Sequence, residues 1–156
     1  MGCFGLKTEE EVFRGRMIDL HNELRKNYNS PNLKENKNLN KIANKVARDL
    51  ILNQEKNQIK IYDGKSFGEN VIISESNEPN IIFKNWSDES QNYDFNKNTF
   101  DKKSLHFTQI IWKETNEIGI AITKDIQNNK YCVVVLYYPP GNTLGEFSKN
   151  INNKID

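Results

Sequence analysis

Histidine is scarce in this 156-residue chain, which contains only His21 and His106. His106 stands in "SLHFTQIIWKET" (residues 104–115), where an aromatic ring, a polar pair, two isoleucines and a tryptophan follow the imidazole. Imidazole titrates near neutrality, so three roles are open to it: proton transfer, metal ligation, or a hydrogen-bonded place in the fold. Nucleophiles to work beside it are few. No serine has a nucleophile-elbow context, and Cys132 sits in "CVVVL", where a buried thiol is normally inert. A separate stretch, "YDFNKNTF" (93–100), puts Tyr93, Phe95 and Phe100 in one loop. Three rings there either offer an apolar slot to a ligand or pack onto the helix beneath them.

The elements that must carry these residues are legible from capping and periodicity. "TEEE" is a capping box with Thr8 as N-cap and Glu11 reaching back, and Phe13, Met17, Leu20 and Leu24 follow at helical spacing. That helix should stop near Ser30-Pro31. A second helix is expected from about Asn38, with Leu39, Ile42, Ala43, Val46, Ala47 and Leu50 as its apolar stripe. "NQEKNQIKIYDGKSFGEN" reads as a polar loop with a short extended piece at residues 59–62. A third helix starts around Asn77–Pro79 and carries Ile81, Ile82, Trp86 and Glu89, and a short fourth follows His106. Then the period changes. "EIGIAITK" alternates as a half-buried strand, and "YCVVVLYYP" reads as a strand buried on both faces, the two forming an antiparallel hairpin. The expectation is helices packed on a small sheet in one domain.

Composition excludes several classes. The 22 basic and 21 acidic residues leave a formal charge of +1 with no long block of either sign, which argues against nucleic acid as a partner. No apolar run has the length of a bilayer-spanning helix. No secretory signal peptide is visible before "KTEEE". Two cysteines, Cys3 and Cys132, do not make a disulfide framework, so a reducing, cytoplasmic setting is expected.

Four pieces converge on one resemblance: "HNELR" (21–25), "GEN" (68–70), "HFTQIIW" (106–112) and "YYPPGN" (137–142). In this order and spacing the chain resembles the CAP superfamily of cysteine-rich secretory, antigen 5 and pathogenesis-related proteins, from Thr8 to about Ile151. It lacks the cysteine that secreted members carry near the second signature, and is most similar to the cytosolic, lipid-anchored, Golgi-associated branch. The resemblance implies an α+β fold, a single-domain α-β-α sandwich with a small, mostly antiparallel sheet. The expected organisation is a flexible N-terminus over 1–7, a CAP domain over 8–151 and a C-terminal tail over 152–156.

The resemblance also implies a cleft in which two histidines and two glutamates meet, and where several family members hold zinc or another divalent metal. Matched motif by motif, the glutamates are Glu69 and Glu89 and the signature histidine is His106. Where the second histidine belongs, about ten residues before "GEN", the chain has none, and Gln58 is the expected occupant. A glutamine carbonyl is a weak zinc ligand, so the metal set His106, Glu69 and Glu89 is incomplete. Without metal the same residues form a polar cluster, and His106 with two carboxylates is also a candidate general base for hydrolysis.

The aromatic loop lies where some family members carry a sterol-binding motif, with Asn98-Thr99 replacing the usual Pro-Gly. Gly2 and Cys3 are candidate myristoylation and palmitoylation sites, since stable anchoring takes two chains, although Leu6 stands where the consensus has Ser or Thr. The function expected is non-enzymatic binding of lipid or sterol at the cytosolic face of a membrane, the Golgi among them, with homodimerisation open. A protein-interaction module with a degenerate metal cleft is the alternative, and a hydrolase the third reading.

Overall fold

The computed structural model describes residues 5–53, 61–62 and 65–156. Helix α1 (Glu9–Asn27) opens on the expected capping box: Thr8 Oγ1 accepts from the Glu11 N–H at 3.1 Å, and Glu11 returns a carboxylate oxygen to the Thr8 N–H at 3.3 Å. Its first turn carries Glu9, Glu10 and Glu11, matching the positive end of the helix dipole. A two-residue strand β1 (Lys34–Glu35) leads into α2 (Lys37–Asn53), whose N-terminal N–H groups at Asn38 and Leu39 donate to the Asn36 side chain. There follow β2 (Ile61–Tyr62), β3 (Lys65–Ser66), β4 (Gly68–Ser74), α3 (Pro79–Ser87), α4 (Leu105–Ile111), β5 (Glu117–Asp125), β6 (Lys130–Tyr138) and α5 (Phe147–Asn150).

The main sheet has the order β1-β5-β6-β4, antiparallel except for the short β1–β5 pairing. The side-chain period of two sends alternate residues to opposite faces, and both faces are covered. On one face α2 places Leu39, Ile42, Ala43, Val46 and Ala47 against Ala121, Cys132, Val134 and Leu136. On the other, α1, α3 and α4 bring Met17, Ile82, Trp86, Phe107 and Ile110 onto Ile118, Ile120, Val133, Val135 and Tyr137. The result is a mixed α/β single domain with helices on both sides of a four-stranded sheet.

Three expectations need correction. Strand β5 is not half-buried, because α2 covers the face that alternation alone would have left to solvent. The stretch from Gly68 is not loop: β4 pairs with β6 along its whole length, from Gly68 opposite Tyr137 to Ser74 opposite Tyr131. Helix α3 ends at Ser87, so Glu89 rides on the 3-10 turn that follows (Asp88–Asn92). At the C-terminus, residues 152–156 run back along the end of α1, where the Ile155 N–H donates to Asn27 O at 2.7 Å and Asn152 donates to Tyr28 O at 3.1 Å.

Candidate functional site

Helix α4 is only seven residues long, and both its ends depend on side chains from elsewhere. Ser104, its N-cap, makes no side-chain capping bond. Glu89 does that work from the neighbouring 3-10 turn. Its Oε1 accepts from the backbone N–H of His106 at 3.0 Å and of Phe107 at 3.2 Å, while Oε2 accepts from His106 Nδ1–H at 2.7 Å. A carboxylate on free N–H groups at a helix start is favoured by hydrogen bonding and by the dipole. The His106 ring then lies nearly parallel to Trp86, with centroids 5.8 Å apart and planes 13° from parallel. Its side chain is 39% exposed and that of Glu89 18%. The pair is thus a fixed imidazole–carboxylate couple at the surface edge of the core.

Glu69 does not join them. Its neighbours of the same parity, Phe67 and Val71, belong to the α2-side core, whereas Asn70 points to the other face and donates to His106 O at 3.2 Å. Strand alternation therefore sends Glu69 away from His106, and its charge is felt instead by Cys132 on the α2 side. Among the described residues no three His, Cys, Asp or Glu side chains are placed to hold a metal ion together. Those residues do not fit the three-ligand set expected from His106, Glu69 and Glu89. Gln58, Gly2 and Cys3 lie outside the described residues.

Sequence reasoning passed over the polar groups that join the four motifs. His21 Nδ1–H donates to Met17 O at 2.7 Å, which leaves Nε2 as an acceptor for the Tyr137 hydroxyl, also at 2.7 Å. Asn70 donates to that same hydroxyl at 3.2 Å. His21, Asn70 and Tyr137 are all buried. Burial drives the His21 pKa down to about 4, and pushes the Tyr137 phenol well above its ordinary value. Four residues further along α1, Arg25 is wholly buried and donates to four carbonyls: Pro31, Ile110, Trp112 and Thr115, at 2.6–2.9 Å. Two of these are end carbonyls of α4, and Ser30 Oγ takes a third, Ile111 O, at 2.7 Å. Burial lowers the Arg25 pKa only to about 10, so the guanidinium stays charged and caps the negative end of α4.

The glutamine of "HFTQIIW" explains two glycines. Gln109 Oε1 accepts from the Gly141 N–H at 2.9 Å and its amide donates to Thr115 Oγ1 at 3.2 Å. A Cβ at Gly68 would fall 2.0 Å from Gln109 Oε1, and one at Gly141 2.7 Å from Nε2, so a side chain at either position would displace the bonded Gln109 amide. Asn142 completes the clamp, donating to Leu105 O at 2.8 Å and accepting from Thr108 Oγ1 at 2.6 Å. The signal was present in the quoted motifs, but each of these residues has its partner in another motif.

The aromatic loop is mostly interior. Tyr93 is buried and its hydroxyl donates to Asn98; Phe95 is half-buried, parallel to Tyr28 and edge-on to Tyr93 and Phe107. Only Phe100 is exposed, with one edge against Phe147. An apolar cavity of about 500 Å³ opens on the α2 face instead, between the end of α2 and the β4–β6 pair. Leu50, Ile51, Val71, Ile73, Tyr131 and Cys132 line it, with Asp125, Asn128 and Lys130 at the β5–β6 turn. Burial, with help from the Glu69 and Asp125 carboxylates, raises the Cys132 thiol to about 11, so its thiolate is scarce at neutral pH.

A model of the cysteine-rich secretory protein family (CAP) matches residues 18–138. The chain is 27% identical over 148 residues to human Golgi-associated plant pathogenesis-related protein 1, covering 93% of this chain and 96% of that one. It is 31% identical over 154 residues to a probable pathogenesis-related protein of Candida albicans, CaO19.2336, covering 96% and 70% respectively. The fold matches venom allergen-like protein 4 of Schistosoma mansoni with a TM-score of 0.74 at 22% identity, over 97% of both chains. The matched segment holds His21, Arg25, Asn70, His106, Gln109 and Tyr137, the residues whose buried bonds join the motifs, and the chain belongs to the CAP family.

Proposed function

We propose that this CAP-domain protein is non-enzymatic and binds lipid at the cytosolic face of a membrane, the Golgi being the expected compartment. The apolar cavity on the α2 face carries the reading, since a concave, mostly apolar site with a few polar groups at one end suits an amphiphile. A sterol slot built from all three loop rings has weaker support, because Tyr93 and Phe95 are already engaged in the core. The same geometry supports a non-enzymatic role. Both Glu89 oxygens are occupied in holding α4 and His106, and Cys132 lies across the sheet with its thiol protonated. The Golgi association in the name of the human relative is consistent with a membrane setting. No helix among the described residues is long and apolar enough to cross a membrane. Attachment through bound lipid, or through acylation at Gly2 and Cys3, belongs to the same proposal.

Mass spectrometry of ligands that co-purify with the protein from its native source, together with liposome flotation, tests this directly. Lipid in the purified sample and flotation with vesicles are expected; absence of both would sink the reading. One observation favours a second reading: the His106 imidazole is half-exposed with Nδ1 fixed by a carboxylate, the arrangement of a general base. An ester or peptide hydrolysis that disappears in His106→Ala would establish it in place of the first.

A further inference from the structure

We propose that the groove between the first turns of α1 and α2 docks an extended, acidic segment of a partner protein, with its carboxylates along the α2 wall. This docking goes beyond lipid binding and does not depend on it.

The groove has a volume of about 550 Å³. Arg14 and Gly15 line it from α1, Lys37, Lys41 and Asn44 from α2, and Lys7 from the segment before α1. Its uncommitted charge is positive. Three carboxylates also line it, and each has a partner within the fold. Glu11 accepts from the Thr8 N–H in the capping box, Glu35 accepts from the Asn40 amide at 2.9 Å, and Glu10 lies 3.7 Å from Arg14. Lys7, Lys37 and Lys41 belong to no ion pair among the described residues.

Two features of α1 have no reason within the fold. Arg14 Nε is closed off from water and meets no acceptor, because Glu35 stops 3.8 Å away, beyond hydrogen-bond reach. A carboxylate entering the groove brings acceptors to this guanidinium. Gly15 stands in the interior of a helix, where glycine is less favourable than alanine, yet a Cβ there would meet nothing within 4 Å. No neighbour in the chain requires that glycine; a segment lying close against the α1 backbone does.

The spacing of the cations sets the form of the partner. Lys37, Lys41, Lys45 and Arg48 follow one another along an exposed face of α2, with about 6 Å of rise for every four residues. Alternate side chains of an extended segment repeat every ~6.8 Å, so acidic residues at every second position match this ladder. Asn44, half-buried beside it, makes no side-chain hydrogen bond among the described residues and can bond a peptide backbone. A flat anionic membrane would also face the exposed Glu10 and Glu11 on the α1 wall. An extended segment keeps to the α2 wall and avoids them.

Fluorescence anisotropy of a labelled peptide of alternating glutamate and serine, titrated with the full chain, tests the groove. The glutamine–serine peptide, inorganic phosphate and phosphatidylserine vesicles serve as comparisons. Saturable binding of one glutamate peptide per chain is expected, with none of the glutamine peptide. Lys37→Glu combined with Lys41→Glu should weaken it about tenfold or more, since two reversed charges exceed the roughly fivefold limit of one exposed ion pair. Gly15→Gln should weaken it about threefold while the melting temperature holds or rises, a split that a merely structural glycine would not give. Lys102→Glu combined with Lys103→Glu, at exposed lysines before α4, should bind as the unaltered protein does. No saturable binding, an affinity unchanged in the Lys37 and Lys41 variant, or an equal loss in the Lys102 and Lys103 variant would overturn the proposal. Displacement of the peptide by phosphate or by the vesicles would overturn it too, and would assign the groove to a small anion or to a membrane.

Discussion

The Tyr137 hydroxyl donates to His21 Nε2 at 2.7 Å, a buried bond between residues 116 positions apart. It joins the first helix to the last strand, and Asn70 extends it through the same hydroxyl to the His106 carbonyl. Each of the family's four sequence motifs thus contributes one polar group to a chain of hydrogen bonds that is buried at His21, Asn70 and Tyr137 and reaches the half-exposed His106. A buried network of this kind stabilises the fold only while every member is satisfied.

Tyr137→Phe removes the hydroxyl and strands the His21 acceptor without changing the ring volume. A loss of about 1–3 kcal/mol is expected, the cost of a buried polar group left without its partner. Urea denaturation at pH 7 measures it; an unchanged midpoint would show that the network contributes nothing to stability.

Acid should weaken the fold through His21. Its folded pKa is about 4, below the ordinary 6.5, so in this window the unfolded chain binds a proton that the native state refuses. The stabilisation from a neutral His21 is complete above about pH 6.5 and is lost as pH falls toward 4, by roughly 3 kcal/mol in all. Denaturation midpoints between pH 7 and 4.5 should fall in the unaltered protein, and the His21 share of that fall should be missing in His21→Gln.

Arg25→Lys is not conservative here. A lysine cannot spread its donors over the Pro31, Ile110, Trp112 and Thr115 carbonyls that the planar guanidinium reaches. A loss of about 3 kcal/mol or more is expected for Arg25→Met, which leaves these acceptors unmet inside the core. Thermal unfolding followed by circular dichroism reads both variants, with Arg25→Lys falling between Met and the unaltered protein.

Glu89→Ala should act as a lost helix cap. Three donors at the start of α4 lose their acceptor, and a cost of about 1–2 kcal/mol follows. Glu89→Gln, which keeps one acceptor oxygen, should lie between. The aromatic signal of Trp86, stacked on His106, should change in near-ultraviolet circular dichroism as the ring loses its restraint.

Much of the architecture was legible in the residues alone, because caps and periodicities are short-range. The Thr8–Glu11 box, the apolar stripe of α2 and the β5–β6 hairpin each depend on contacts that the chain spells out within a few positions. Strand β4 was not legible. Its polar "GEN" start looks like loop until β6, some sixty residues later, supplies the ladder that its backbone needs. The site divides in the same way. The family resemblance set Glu69 and Glu89 on equal terms beside His106, but strand alternation turned Glu69 to the α2 face while the 3-10 turn carried Glu89 onto the imidazole. Sequence by itself determined which residue types stand where, and through them the family and its elements. Only the tertiary structure decided which of them meet, since a hydrogen bond spanning 116 residues is set by the packing of helix on sheet and leaves no local trace in the chain.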